Sequence, residues 1–138
     1  MTRPRASENG RESVAWLIVL AAYVALIFFV SSRPYLVPPG PQFTMKDKLA
    51  HLVEYSILGA LLYRILSVRV ARPRLVALFL VFAVAGTIAA ADEMFQGTVP
   101  GRQRDITDWI ADVTGATLVG AGTTMWLTRR RAAGDGPR

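Results

Sequence analysis

The sequence predicts an all-α fold: an integral membrane bundle of four transmembrane helices with both termini in the cytoplasm. Three observations carry that expectation. Of the 138 residues 52% are apolar, with a mean hydropathy of +0.33. The apolar residues fall in four long runs without strict alternation. Lysine and arginine gather at alternate ends of those runs. Within lipid a backbone satisfies its hydrogen bonds only as a helix or a closed barrel, and long runs lacking a period of two choose the helix. The length suits a single domain, 1–138.

Residues 1–12 mix Arg3, Arg5 and Arg11 with Ser, Asn, Gly and Glu, and with no apolar period they read as a disordered basic leader. From Val14 to Val30 no residue is charged, which places a first helix at 14–32, long enough for a hydrocarbon core of about 30 Å. A basic start before an apolar run also fits a signal peptide. This run exceeds the usual apolar stretch of about 7 to 15 residues, so a retained helix is expected. Pro34, Pro38, Pro39, Gly40 and Pro41 then remove amide donors and fix φ, predicting an extended loop.

A second helix is expected over 45–66, with Arg64 snorkelling to the interface near its end. A short basic turn leads to a third at 75–91, which is uncharged. After the polar run Asp92 to Asp105 a fourth spans 105–127 and stops against Arg129, Arg130 and Arg131, leaving 132–138 as a disordered tail. Gly86 with Ala90, and Ala116 with Gly120, are small residues at intervals of four that would let helices approach closely.

Basic residues outnumber acidic ones by 16 to 10. In a soluble protein that balance suggests a nucleic-acid partner, but here the arginines flank apolar runs, so they read as a topological signal and no nucleic-acid partner is expected. Eleven of the 16 lie in the leader, the Arg64 to Arg74 turn and the C-terminal end, which the positive-inside rule assigns to the cytoplasm. The absence of cysteine excludes disulfides, thiol nucleophiles, iron–sulfur clusters and thiolate zinc sites.

Seven of the ten acidic residues lie on the opposite side, with the single histidine: Asp47, Glu54, Asp92, Glu93, Asp105, Asp108 and Asp112. Asp47, His51, Glu54 and Tyr55 recur at helical spacing along one face of the second helix. Asp47 also fits a capping box with Thr44. His51 and Glu54 are candidates for an acid/base pair, or for a structural hydrogen-bonded pair. Asp92, Glu93 and Gln96 share a helical spacing, and Val99-Pro100-Gly101-Arg102 has the order of a type II turn that would aim Arg102 back towards the helix ends. Its guanidinium suits an anionic headgroup or one of the nearby acids. Asp105 fits an N-cap with Asp108 three residues on, whereas Asp112 lies too deep to cap. The acids and His51 offer hard ligands for magnesium or calcium, yet no HExxH motif, G-x-S-x-G elbow or phosphate-cradling glycine loop is present, and no cofactor is assigned.

The ordered combination of Ser31-Ser32-Arg33-Pro34, Asp47-Lys48-Leu49-Ala50-His51 with Tyr55 and Gly59, Asp92-Glu93 with Gln96, Pro100-Gly101-Arg102, Asp105, Asp108, Gly115 and Gly120 resembles the VanZ-like family of small membrane proteins. The resemblance covers about Val14 to Leu127. It departs at Asp112, where the family usually has asparagine, so the charge of the site differs there. The family takes its name from a protein associated with teicoplanin resistance, so the resemblance implies a role at the bacterial cell envelope but no particular reaction.

Three functions compete on these residues. The first is a non-enzymatic module of the bacterial cytoplasmic membrane that binds a lipid-linked precursor or a glycopeptide. The second is an enzyme on a lipid-linked precursor, with His51, Glu54, Asp92, Glu93 and Asp108 as catalytic candidates and Asp47, Lys48, Tyr55, Gln96, Arg102, Asp105 and Asp112 as ligand-binding ones. The third is a small proton-coupled transporter using Glu54 and Asp112.

Overall fold

The computed structural model describes residues 6–34, 45–69 and 74–134. Within them the chain is helical throughout apart from the segment around the polar turn, with α1 at Ala6–Ser31, α2 at Met45–Arg69, α3 at Arg74–Gln96 and α4 at Ile106–Gly134. Thr44, most of the proline-rich loop, the middle of the basic turn and the last residues of the tail lie outside the described residues, and with them the proposed Thr44 capping box.

Four boundaries differ from the sequence expectation. Two are C-terminal: α2 runs to Arg69 and not 66, and α4 runs through Arg129, Arg130 and Arg131 to Gly134, past the expected stop at 127 and into the expected tail, since arginine and alanine both favour helix. The other two are the start of α1 and the end of α3. The helix α1 starts at Ala6, within the stretch read as a leader, because extending an existing helix by a turn avoids the cost of nucleating one. At the other end, α3 continues beyond Ala91 to Gln96, so Asp92, Glu93 and Gln96 form its last turns and not a polar loop. One oxygen of Asp92 accepts from Gln96 and one of Glu93 from the Asp105 amide, contacts that hold these residues in the helix beyond the point where charge begins.

Among the described residues three segments are long and apolar enough to cross a membrane: Glu12–Ser31, Asp47–Leu66 and Leu75–Gln96. Large apolar side chains on them point outward, among them Ile18, Phe29, Val53, Leu75 and Phe79. Such an apolar exterior around buried charges suits lipid as the solvent. Hydroxyls along the helices spend their protons on their own helices: the half-buried Ser56 donates to the Leu52 carbonyl and Thr117 to Val113, and the exposed Thr87 to Ala83.

The core lies between α2, α3 and α4, with Ile27 of α1 joining it. The closest approach is that of α2 to α4. A Cβ on Gly59 would collide with the Ala116 backbone, and one on Gly115 would collide with the Leu52 carbonyl. Only hydrogen at both positions lets the two backbones pack this tightly. Gly86 has room for a Cβ, with Val113 at 3.6 Å, so the seam runs through Gly59 and Gly115 and the interval picked on α3 plays a smaller part. Between α3 and α4 the Trp109 indole donates to the Gly86 carbonyl at 3.0 Å. The Tyr23 hydroxyl of α1 donates to the Glu54 carbonyl of α2 at 2.9 Å. These contacts bring the C-terminal ends of α1 and α3 to the same end of the bundle as the N-terminal ends of α2 and α4.

Candidate functional site

The site is built where these four ends meet. After α3 the chain reverses through Val99 to Arg102, whose amide donates to the Val99 carbonyl at 3.1 Å with Gly101 at φ 82°. With Pro100 before that left-handed glycine, this is the type II turn expected from the sequence. It sends Arg102 back over the end of α1. The guanidinium donates through Nε to the Arg33 carbonyl at 3.1 Å and through Nη2 to the Val30 carbonyl at 3.4 Å, capping the negative end of the α1 dipole. Its Nη1 donates to the Gln96 side chain at 3.0 Å. Gln96 in turn donates to Asp92 at 2.8 Å and to the Ser31 hydroxyl at 3.2 Å, so one chain of hydrogen bonds links α1, α3 and the turn.

A second group opens α4. Asp105 is its N-cap: one carboxylate oxygen accepts from the Thr107 amide at 2.8 Å and from the Thr107 hydroxyl at 2.7 Å. The Lys48 ammonium of α2 reaches the other oxygen at 3.1 Å, Asp108 at 2.8 Å and the Thr107 hydroxyl. These bonds favour the carboxylate, the two from Thr107 most and Lys48 next, and hold the Asp105 pKa down to about 2. The Asp105 amide donates to Glu93 at 2.8 Å, tying the start of α4 to the end of α3.

The deepest part joins α2 to α4. His51 Nδ1 lies 3.0 Å from an Asp112 carboxylate oxygen, with the histidine 7% and the aspartate 0% exposed. The imidazole is therefore partnered across helices by Asp112, and the expected pairing with Glu54 one turn away on α2 does not form. Removing either partner would strand the other in a place closed to water, an effect of about 3 to 5 kcal/mol.

The structure brings Asp47, Lys48, His51, Asp92, Glu93, Gln96, Arg102, Asp105, Asp108 and Asp112 into one end of the bundle, and Tyr55 lies one turn deeper on α2. Glu54 is half-buried beside them. Most of these groups are enclosed. Sequence reasoning gave no part to Ser31 or Thr107. Both had a signal: Thr107 a hydroxyl two residues after an N-cap aspartate, and Ser31 its place in the Ser31-Ser32-Arg33-Pro34 stretch at the end of an apolar run.

Four buried polar atoms have no partner among the described residues: the Tyr55 hydroxyl, Asp92 Oδ1, Glu93 Oε1 and Asp112 Oδ2. Native interiors rarely leave such atoms unpaired.

Fold and site together define a helical membrane protein whose bundle is closed at one end by a buried, predominantly acidic cluster. The chain belongs to the VanZ/LLP1 family, whose model matches residues 6–128. No curated protein and no solved structure matches it.

Proposed function

We propose that this protein spans the bacterial cytoplasmic membrane four times, with both termini in the cytoplasm, and that its acidic cluster faces the envelope side. There it binds a polar envelope ligand, a lipid-linked precursor or a glycopeptide, in a role related to teicoplanin-type resistance. The fourth span is supported by the exposed Ile110, Leu118 and Trp126 of α4, which give that helix an apolar outer face while Asp108 and Asp112 turn inward. The orientation rests on the excess of arginine at the opposite ends of the helices. The envelope role rests on the family. The observation that carries the site is the set of buried oxygens of Tyr55, Asp92, Glu93 and Asp112 left without protein partners.

Binding without chemistry is favoured because the serine and threonine hydroxyls near the cluster are already engaged by other groups. Ser31 accepts from Gln96, Thr107 is held by Lys48 and Asp105, and Ser56 bonds its own helix. One observation supports the enzymatic alternative: a carboxylate-oriented imidazole, His51 on Asp112, is the arrangement that activates a water molecule. In that reading Asp112 replaces Glu54 as the partner of His51, and Arg102 serves as a phosphate clamp only by giving up its bonds to α1. The transporter reading needs Asp112 to load and unload protons, and its hydrogen bond to His51 favours a fixed anchor instead.

The test is expression in a teicoplanin-susceptible bacterium. The intact protein should lower susceptibility, and Asp92→Asn and Glu93→Gln at equal membrane abundance should abolish the effect. Unchanged susceptibility with the intact protein overturns the proposed role. Conversion of a lipid-linked precursor by the purified protein, followed by mass spectrometry, would replace binding with catalysis.

A further inference from the structure

Three helices each contribute one ligand-type side chain to a common point in the buried end of the bundle. His51 comes from α2, Glu93 from α3 and Asp112 from α4, and one ligand atom from each lies within 4.8 Å of the others. All three residues are more than nine-tenths buried. Nitrogen and oxygen ligands about 2.1 Å from a tetrahedral ion sit about 3.4 Å apart, so small side-chain rotations close this trio around a metal. Bundle cores build metal sites in this way, from carboxylates and imidazoles on facing helices.

An independent observation points to the same occupant. Glu93 Oε1 and Asp112 Oδ2 have no hydrogen-bond partner among the described residues, although the second oxygen of each is held, by the Asp105 amide and by His51. Glu93 is thus oriented at one oxygen by a group outside the trio and left open at the other, the arrangement that partners around a metal impose on its carboxylate ligands, while Asp112 has one oxygen open and the other on His51 within the trio. The Tyr55 hydroxyl, one turn deeper on α2, is also buried and without a partner among the described residues.

We propose that His51, Glu93 and Asp112 bind one divalent first-row metal ion, Zn²⁺ or Mn²⁺. Two carboxylates balance the charge of the ion, which removes the difficulty of burying both unpaired. The imidazole nitrogen selects against Mg²⁺ and Ca²⁺, which prefer all-oxygen shells. Asp47, His51 and Asp108 form an alternative trio that shares the histidine but lies nearer the surface, with Asp47 only half-buried and Asp108 bound to Lys48. The inner trio has the open oxygens. The site shares Glu93 and Asp112 with the envelope reading but does not depend on it, and it is measured on the purified protein without any envelope ligand.

The test uses tag-free full-length protein in lipid nanodiscs, stripped with a chelator and titrated with Zn²⁺, Mn²⁺ and Mg²⁺. One Zn²⁺ or Mn²⁺ per chain should bind and raise the melting temperature in a concentration-dependent way, with Mg²⁺ much weaker. Bound Mn²⁺ should show nitrogen coupling in pulsed electron paramagnetic resonance, and the single histidine of the sequence makes that nitrogen His51. Glu93→Gln keeps an acceptor for the Asp105 amide and should weaken binding at least about 10-fold, the smaller loss typical of an outer-shell partner. Asp47→Asn should weaken it less. No stoichiometric binding by the wild-type protein, binding of Mg²⁺ alone, Mn²⁺ without nitrogen coupling, or a larger loss from Asp47→Asn than from Glu93→Gln would each overturn the proposal.

Discussion

The helices α2 and α4 are joined twice, by opposite chemistry. At one end Lys48 and His51 reach Asp105, Asp108 and Asp112 through ion pairs and hydrogen bonds. Further along, Gly59 and Gly115 press the two backbones together with no polar side chain beyond the Ser56 hydroxyl. At the glycine seam the two backbones are in direct contact, so close that an added Cβ would meet the facing backbone. The polar end is incomplete, because Asp92, Glu93 and Asp112 each keep a buried oxygen without a partner. A bundle that needed only to stay together would have no use for the second arrangement where it already has the first. We therefore assign the seam to folding and the polar end to function.

The larger of two effects that sharpen this contrast falls on the seam. Gly59→Ala and Gly115→Ala each place a Cβ against backbone, which cannot rotate away, so α2 and α4 must separate. Each should lower stability in detergent by about 1 to 3 kcal/mol, read as a fall in melting temperature. Gly122→Ala, on the same helix with nothing within 4 Å of the added carbon, should be neutral or gain up to about 1 kcal/mol from helix propensity. Equal melting temperatures for all three variants would remove the seam from the account.

The smaller effect falls on the outer rim of the polar end. The pKa of Asp105 in the folded protein is depressed to about 2 by Thr107 and Lys48, below its unfolded value. A depressed carboxylate adds stability that is fully present above the unfolded pKa of about 3.9 and is lost as pH falls through the folded one. Asp105→Asn should therefore lower the melting temperature slightly at neutral pH, and the gap to wild type should close between about pH 4 and pH 2. The change is small because the pair is partly solvated, with side-chain exposures of 28% for Lys48 and 35% for Asp105. A gap that widens on acidification would contradict the cap.

The sequence carried the helices and the membership of the site further than its wiring. Apolar runs located every helix, the spacing of Asp47, His51 and Tyr55 placed them on one face, and the Pro100-Gly101 order marked the turn. Partners were another matter. Spacing within a helix says which residues share a face but not which residue on another helix they meet, so His51 was matched with Glu54 on its own helix and not with Asp112 on α4. Arg102 was read as a ligand arm for the same reason, since nothing local shows that the turn brings it to the exposed carbonyls of α1. The seam was misplaced to Gly86 because an interval of four small residues occurs by chance in an alanine-rich helix, whereas Gly59 and Gly115 act alone, each against a partner distant in sequence. The end of α3 was placed too early because charge reads as loop until its partners are known.

The central claim is that the incomplete end of the bundle faces the envelope and the arginine-rich end the cytoplasm. With no native cysteine to interfere, Thr98→Cys, exposed in the segment beside the cluster, and Val68→Cys, near the other end of α2, can be labelled in intact cells with a membrane-impermeant thiol reagent. The account predicts that Thr98→Cys reacts at once and Val68→Cys only after lysis; labelling of Val68→Cys in intact cells with Thr98→Cys protected would contradict it.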